Sequence, residues 1–432
     1  MRLSLALALY RLLLPLLFLA AFPGWLVKML RRGGFGTHLE ERAALYTPPL
    51  EQEPCGAVHV HAISVGESLL ALKLIREWLV QQPDCRFVLA TGTATGHAVA
   101  TAAAIPGLRV TYSPLDFRSM VRRYLDRFEP SQLVLIEGEV WPNLLLECTR
   151  RQLPVRLVNA RISPRSARRF QRFAPWLRPI YRLLDAVAIQ EPEDSTIWQI
   201  LGVAPSRIHH TGSLKFDPGS GELPTRQPAL QAMLSAFGPK RPIILAASTH
   251  PGEDAWIAAA IHHAEPTALA VIVPRHAERR LEVKADLERA GFNVCLRSSI
   301  SDFTTTSRHP WVFVIDSTGE LRDWTAHADV VIIGKSFLAT GGQNPCEAIL
   351  AKKPVIFGPH MENFQALASR LVACGGGICA SDSPLLALAI RRALDPQQAL
   401  TLTHNATTLL ARHHGATHRI LALLMAEKSP TF

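Results

Sequence analysis

Three short stretches carry side chains suited to acid–base work. In VHAISVGE, residues 60–67, an apolar run ends in a small polar turn that delivers Glu67. Ser64 and Glu67 fit S-x-x-E, the box that satisfies orphan amides at a helix start. Glu67 also follows an expected parallel strand, where open α/β sheets bind ligands, so a catalytic base is the other reading. IEGEVWPN, 136–143, sets Glu137 and Glu139 just after a strand, and alternate residues of an extended segment share a face. Such a pair can do acid and base work or orient sugar hydroxyls, or be one exposed and one helix-start glutamate. TGSLKFD, 211–217, offers Lys215 to a phosphate or carboxylate, although most lysines are solvated.

A second group of motifs suits anion binding. VPRH, 273–276, ends a buried strand with Arg275 and His276, which suits a bidentate grip on phosphate or is simply a surface arginine at a strand end. STHPGE, 248–253, has the composition of a turn feeding a helix, and helix amino termini attract phosphate. In GKSFLATGGQNPCEA, 334–348, the GKS is no phosphate-binding loop, because Asp329 stands where that motif needs glycine. Gly341 and Gly342 read instead as a close-approach loop, with Glu347 either holding ribose hydroxyls or complementing a helix dipole.

These residues need elements to hold them. Strands are expected at 58–64, 86–92, 109–113, 133–137, 155–159 and 186–190, then at 242–249, 268–275, 312–318, 328–336 and 354–359. Continuous apolar strands spaced by amphipathic stretches indicate parallel sheets covered on both faces. The Gly- and Pro-rich run 217–228 interrupts the series and reads as a linker. The expected organisation is an anchor at 1–32, one α/β domain at 33–216, a linker at 217–240, a second α/β domain at 241–383, and helices at 384–432 packing back.

Residues 12–27 carry no charge, yet this stretch is shorter than the ~20 residues of a full span and contains Pro15 and Pro23. It is a signal-anchor or an interfacial helix, and Lys28, Arg31 and Arg32 behind it place the rest of the chain in the cytoplasm. A cleaved signal peptide is the alternative. With a net charge of +10 the chain should meet an anionic partner. Residues 160–183 hold seven arginines and no acid, which points to acidic lipid or a phosphorylated acceptor; nucleic acid is disfavoured, since no binding module accompanies them. Seven scattered cysteines without a CxxC pair imply reduced thiols and no zinc site. His59 and His61 share a strand face but lack a third ligand, so no metal and no cofactor are expected.

Taken in order, H-A-x-S-V-G-E, E-x-E-x-W-P-N, V-N-A-R at 158–161, G-x-L-K-F-D, A-S-T-H-x-G-E, V-P-R-H, G-E-L at 319–321, G-G-x-N-P-x-E and N-F at 363–364 make the chain resemble the 3-deoxy-D-manno-octulosonic acid (Kdo) transferases of lipopolysaccharide synthesis, along with the E-R-x-x-x-Y at 41–46. The resemblance implies an α/β protein of the GT-B glycosyltransferase fold, two Rossmann-like domains around a cleft, with an amino-terminal membrane-associated helix. It implies inverting, metal-independent transfer of Kdo from CMP-Kdo to a lipid A precursor, lipid IVA, at the cytoplasmic face of the cell inner membrane. Glu67 matches the general base; Glu137 and Lys215 match positions that stabilise the transition state. CMP-binding positions correspond to Pro274, Arg275, Thr318, Gly319, Glu320, Asn344, Pro345, Cys346 and Glu347. With a base role the Glu67 carboxylate is expected to point at the acceptor side rather than back to the Ser64 amide. Lys335 and Gln343 depart from the family's G-G-S and G-G-H-N patterns and bear on the donor. The competing readings are a GT-B transferase of another sugar nucleotide and a non-catalytic anchored nucleotide-binding homologue.

Overall fold

Val-, Ile- and Leu-rich runs alternating with amphipathic segments fold as two separate parallel sheets, because a strand apolar on both faces is stable only between layers of helix. The computed structural model describes residues 3–31, 38–46, 56–217, 224–238, 240–299 and 312–426. One unit comprises Met1–Ser220 with His413–Phe432, and the other Gly221–Arg412.

In the first unit, α1 (Leu3–Arg31) precedes β1 (Val58–Ala62), α2 (Val65–Gln81), β2 (Phe87–Thr91), α3 (Ala94–Ala102), β3 (Leu108–Tyr112) and α4 (Arg118–Phe128). There follow β4 (Gln132–Ile136), α5 (Pro142–Arg150), β5 (Val155–Ala160), α6 (Pro164–Tyr181), β6 (Ala186–Ile189), α7 (Ser195–Ile200) and β7 (Ile208–His210). The strand order is β3-β2-β1-β4-β5-β6-β7. Successive strands run outward from β1 on one side and resume at β4 on the other, so the topology switches between β1 and β4.

The second unit contains α8 (Pro228–Ala236), β8 (Ile243–Thr249), α9 (Glu253–Ala264), β9 (Leu269–Pro274), α10 (Arg280–Arg289), β10 (Val294–Leu296), β11 (Val312–Val314) and α11 (Leu321–His327). It continues with β12 (Val330–Ile333), α12 (Cys346–Leu350), β13 (Val355–Phe357), α13 (Gln365–Ala373), β14 (Ile378–Cys379), α14 (Ser383–Leu394) and α15 (Pro396–Ala411). Its order, β10-β11-β9-β8-β12-β13-β14, switches between β8 and β12.

Two boundaries differ from the sequence expectation. The stretch 217–240 contains α8, whose Leu230 and Met233 are buried together with the following Phe237; residues 218–223 lie outside the described residues. The tail divides: α14 and α15 contribute Leu386, Ile390 and Leu402 to the second core, and α16 (Ala416–Met425) alone returns to the first, burying Ile420, Leu421 and Leu424 against Trp78 and Leu74. Apolar periodicity reveals that these helices are amphipathic but carries no information on which core they enter.

Candidate active site

The carboxyl edge of the first sheet gathers the acidic residues. Glu67 enters it from the first turn of α2, just beyond β1, and is 9% exposed. Ser64 caps α2 by accepting from the Glu67 amide at 3.2 Å. The Glu67 carboxylate turns back: Oε2 accepts from the Ile63 amide at 2.8 Å and Oε1 from the Ser64 hydroxyl at 2.7 Å. That is the reciprocal cap, shifted by one residue to Ile63. The expected outward-facing carboxylate is therefore not what the fold adopts, because two amides at the mouth of α2 need acceptors and Glu67 supplies one of them.

Glu137 follows β4 with φ 64°, in the left-handed region that side chains other than glycine rarely occupy. The conformation is held at both ends, since the Glu137 amide donates to Val158 O at 3.0 Å and its carbonyl accepts from the Arg161 amide at 3.1 Å. Backbone strain of this kind concentrates at functional sites. Burial pushes the Glu137 carboxyl above its ordinary pKa, opposed by the Arg161 guanidinium and Lys215 ammonium and reinforced by Glu67. Glu139 is raised by burial and then by Glu67 and Glu137. Glu67, Glu137, Glu139, Arg161 and Lys215 thus form one electrostatically coupled cluster at the β1/β4 switch point.

Lys215 owes its place to Asn159. At a register shift in β5, Asn159 takes φ 53°, and its Oδ1 accepts from the Leu214 amide at 2.9 Å. The Ser213 hydroxyl, which also reaches Asn159, accepts from the Lys215 amide at 3.3 Å. Sequence reasoning gave Asn159 no role of its own and placed Arg161 in a block expected to meet acidic lipid or a phosphorylated acceptor. The signal was available in V-N-A-R at the end of the strand beside β4.

In the second unit a small solvent-open cavity of about 90 Å³ sits at the carboxyl ends of β8, β9 and β12. Arg275, Asn344 and Glu347, all expected donor residues, line it, together with Ser248, Thr325 and Gln343. Burial raises the Glu347 carboxyl, and the charges of Arg322 and Arg275 oppose that rise. Pro274 ends β9, and Asn344 Oδ1 accepts from the amide of buried Cys346 at 3.1 Å, leaving Pro345 and Cys346 as backbone framework. Thr318 precedes Gly319, whose φ of 89° permits the turn into α11. Glu320 is engaged elsewhere, accepting from Trp324 Nε1 at 3.1 Å and lying 3.5 Å from Arg297.

The STHPGE turn is not an open anion site. Glu253 is fully buried; its Oε2 accepts from the His250 amide at 3.0 Å and the Lys335 amide at 2.6 Å, and Oε1 from the Phe337 amide at 3.2 Å. A carboxylate thus ties the β8 turn to the β12 turn. Gly334 must be glycine, as a Cβ there would meet Ser248 O at 2.5 Å. The expected close approach at Gly342 is to protein, with Met361 Sδ 2.5 Å from where a Cβ would stand.

Glu41 and Arg42 of the 41–46 motif are structural. Glu41 Oε2 accepts from Thr111 Oγ1 at 2.8 Å and the Tyr112 amide at 3.0 Å, and Arg42 donates to Gly92 O at 2.8 Å. His59 Nδ1 pairs with the Tyr124 hydroxyl at 2.9 Å, and His61 Nε2 with the Ser113 hydroxyl at 2.5 Å. Burial lowers their pKa values to about 3 and about 4, so both imidazoles are neutral core groups. Among the described residues, no group of three or more His, Cys, Asp or Glu side chains is arranged to hold a metal ion.

Residues 37–218 match the family model for 3-deoxy-D-manno-octulosonic-acid transferase (kdotransferase). The chain is 35% identical to a 3-deoxy-D-manno-octulosonic acid transferase of Bordetella pertussis, across 95% of this chain and 96% of that one. Its fold is similar to that of the glycosyltransferase of kitacinnamycin, with TM-score 0.51 and 15% identity over 86% of this chain and 98% of the other. It is also similar to a UDP-N-acetylglucosamine 2-epimerase, with TM-score 0.51 and 13% identity over 86% and 96%. One architecture hosts a transferase and an epimerase, so the structural likeness establishes the fold alone.

Proposed function

The chain belongs to the 3-deoxy-D-manno-octulosonic acid transferase family and is a GT-B glycosyltransferase; from that premise we propose that it transfers Kdo from CMP-Kdo to lipid IVA, inverting the anomeric centre without a metal ion. The observation that carries this reading is the coupled cluster of Glu67, Glu137, Glu139, Arg161 and Lys215 at a sheet switch point. In the single displacement, an acceptor hydroxyl attacks the anomeric carbon and gives its proton to Glu67. The new C–O bond forms as the bond to the CMP phosphate oxygen breaks, and that oxygen leaves with the electron pair. Glu67 is suited to the base role because each carboxylate oxygen accepts only one of the bonds described and has a lone pair left. Its two donors, the Ile63 amide and the Ser64 hydroxyl, fix the rotamer of the carboxylate. Lys215 and Arg161 supply positive charge on the acceptor side, while Arg275, with Asn344 and Glu347, holds the CMP of the donor.

The membrane reading follows from α1, the one helix among the described residues long and apolar enough to cross a bilayer. Ala6 and Leu7 are buried against the first unit, whereas Leu12, Leu16, Leu17 and Leu19 are exposed. The apolar segment Leu3–Gly24 has the length to span a bilayer and is little buried, so it suits a membrane anchor, spanning or lying in the interface. Arg165, Arg168, Arg169 and Arg172 of α6 are exposed beside Phe173 and Trp176, a composition suited to anionic headgroups of the cytoplasmic leaflet.

The test is incubation of the purified protein with CMP-Kdo and lipid IVA in the presence of EDTA. Kdo-bearing lipid and CMP are expected in equal amounts. Absence of that product, with transfer from a different sugar nucleotide, sinks the proposal.

A further inference from the structure

Asp116 lies in the loop between β3 and α4 and is 5% exposed, with no cation paired to it in an ion pair among the described residues. It binds three donors instead. Oδ1 accepts from the Leu144 amide at 2.9 Å, and Oδ2 accepts from the Asn143 amide at 2.9 Å and from the Tyr10 hydroxyl at 2.8 Å. The contact is reciprocated, since Asn143 Nδ2 donates to Asp116 O at 2.6 Å. Arg11 completes the node by donating through Nε to Asn143 Oδ1 at 2.8 Å. Further along α1, Phe18 meets Phe117 edge-on with ring centroids 5.9 Å apart.

The amides of Asn143 and Leu144 are orphan donors of the first turn of α5. Trp141, at the cap position, provides no side-chain acceptor, so Asp116 caps this helix from another loop. The segment 137–141, which carries Glu137 and Glu139, is strung between the end of β4 and this capped turn. Whatever fixes the start of α5 therefore fixes the far end of the carboxylate-bearing loop.

We propose that α1 is a working part of the acceptor-side site: Tyr10 and Arg11, through Asp116 and Asn143, are positioning residues that hold the 137–143 segment in its reactive shape. The inference rests on the Kdo-transfer reading for its activity readout only. Membrane attachment and positioning fall on different residues of α1. Leu12, Leu16, Leu17 and Leu19 present the apolar surface, whereas Tyr10 and Arg11 face the protein with polar bonds that add nothing to lipid affinity.

The two functions are consequently separable by mutation. The full chain carrying Tyr10→Phe and Arg11→Gln is compared with wild type in anionic phosphatidylglycerol vesicles, by hydrogen exchange over 137–150, vesicle partition, thermal unfolding and steady-state kinetics. Exchange at Asn143 and Leu144 should quicken roughly tenfold and kcat should fall by a similar factor, the loss expected of hydrogen bonds to a charged group. KM for CMP-Kdo should not change, the unfolding midpoint should fall by only a few degrees, and vesicle partition should fall by no more than the ~1 kcal/mol of one lost positive charge. Leu16→Ser with Leu17→Ser should do the reverse, weakening partition with exchange over 137–150 unaltered. Unchanged exchange at Asn143 and Leu144 in the Tyr10/Arg11 variant overturns the proposal, as does a rise in exchange that is uniform across the first unit rather than concentrated over 137–150. Because exchange is independent of what is transferred, wild type inactive on CMP-Kdo would defeat the functional reading and leave the positioning test standing.

Discussion

At the switch point of the first sheet, Glu137 and Glu139 are half-buried with their protons held more tightly than usual, whereas at that of the second the buried Glu253 is wholly committed to three backbone amides. Both sheets bend the chain in the same way near their carboxyl edges. Asn159 in β5 and Ser248 in β8 each take a positive φ at a register shift. What differs is where the negative charge is left. Partly desolvated carboxyls, Glu137 among them with Arg161 and Lys215 nearby, suit proton transfer, and a cavity lined by a guanidinium, an amide and a carboxyl suits holding a nucleotide. The proposed function places chemistry at one edge and binding at the other.

The largest expected effect breaks that contrast at its reactive end. Glu67→Gln keeps an acceptor for the Ile63 amide but cannot take a proton, so single-turnover transfer should slow by ~10²–10⁴-fold while thermal unfolding changes little. A rate within a few-fold of wild type would leave Glu67 as a helix cap only. Next in size, Arg275→Ala should raise KM for the nucleotide sugar roughly 10–100-fold, corresponding to a hydrogen bond to charge, with kcat nearly unchanged. A fall in kcat at constant KM would undo the division between the edges.

The smallest effect concerns the core beneath the reactive edge. His61 titrates near 4 in the fold against 6.5 when unfolded, so below pH 6.5 the unfolded chain binds the extra proton and stability falls until about pH 4. Asp116, raised to about 6 by burial, acts with the opposite sign between about 6 and 3.8, because there the fold holds the extra proton. Comparing wild type with His61→Leu isolates the histidine. Urea midpoints should show wild type losing stability relative to the variant as pH drops from 6.5 to about 4. A pH-independent difference would mean that His61 is charged in the fold.

Most of the scaffold was legible because strands buried on both faces are continuous apolar runs, and those expected at 58–64, 86–92, 133–137, 155–159 and 186–190 each fall on an observed strand within a few residues. The edge strands β7, β10 and β14 escaped notice, being only two or three residues long and partly exposed. Helix α8 was read as linker because Pro and Gly crowd the residues before it. Within the site, residue types were readable and their partners were not. Glu67 could be assigned to a cap or a base from spacing, but Ile63 as its amide partner depends on how β1 enters α2.

The sequence by itself determined the fold class, the order of the strands along the chain and the identity of the ionisable groups at strand ends, since periodicity and local turn chemistry are written in neighbouring residues. Only the tertiary structure decided that Arg161 joins the carboxylates, that Glu253 is an amide clamp, that Asp116 caps a helix from a distant loop and ties it to Tyr10, and that α16 returns to the first core. Each of these joins residues far apart in the chain, and a contact of that kind is chosen by the competition of many groups for burial and for hydrogen-bond partners, which no local pattern records.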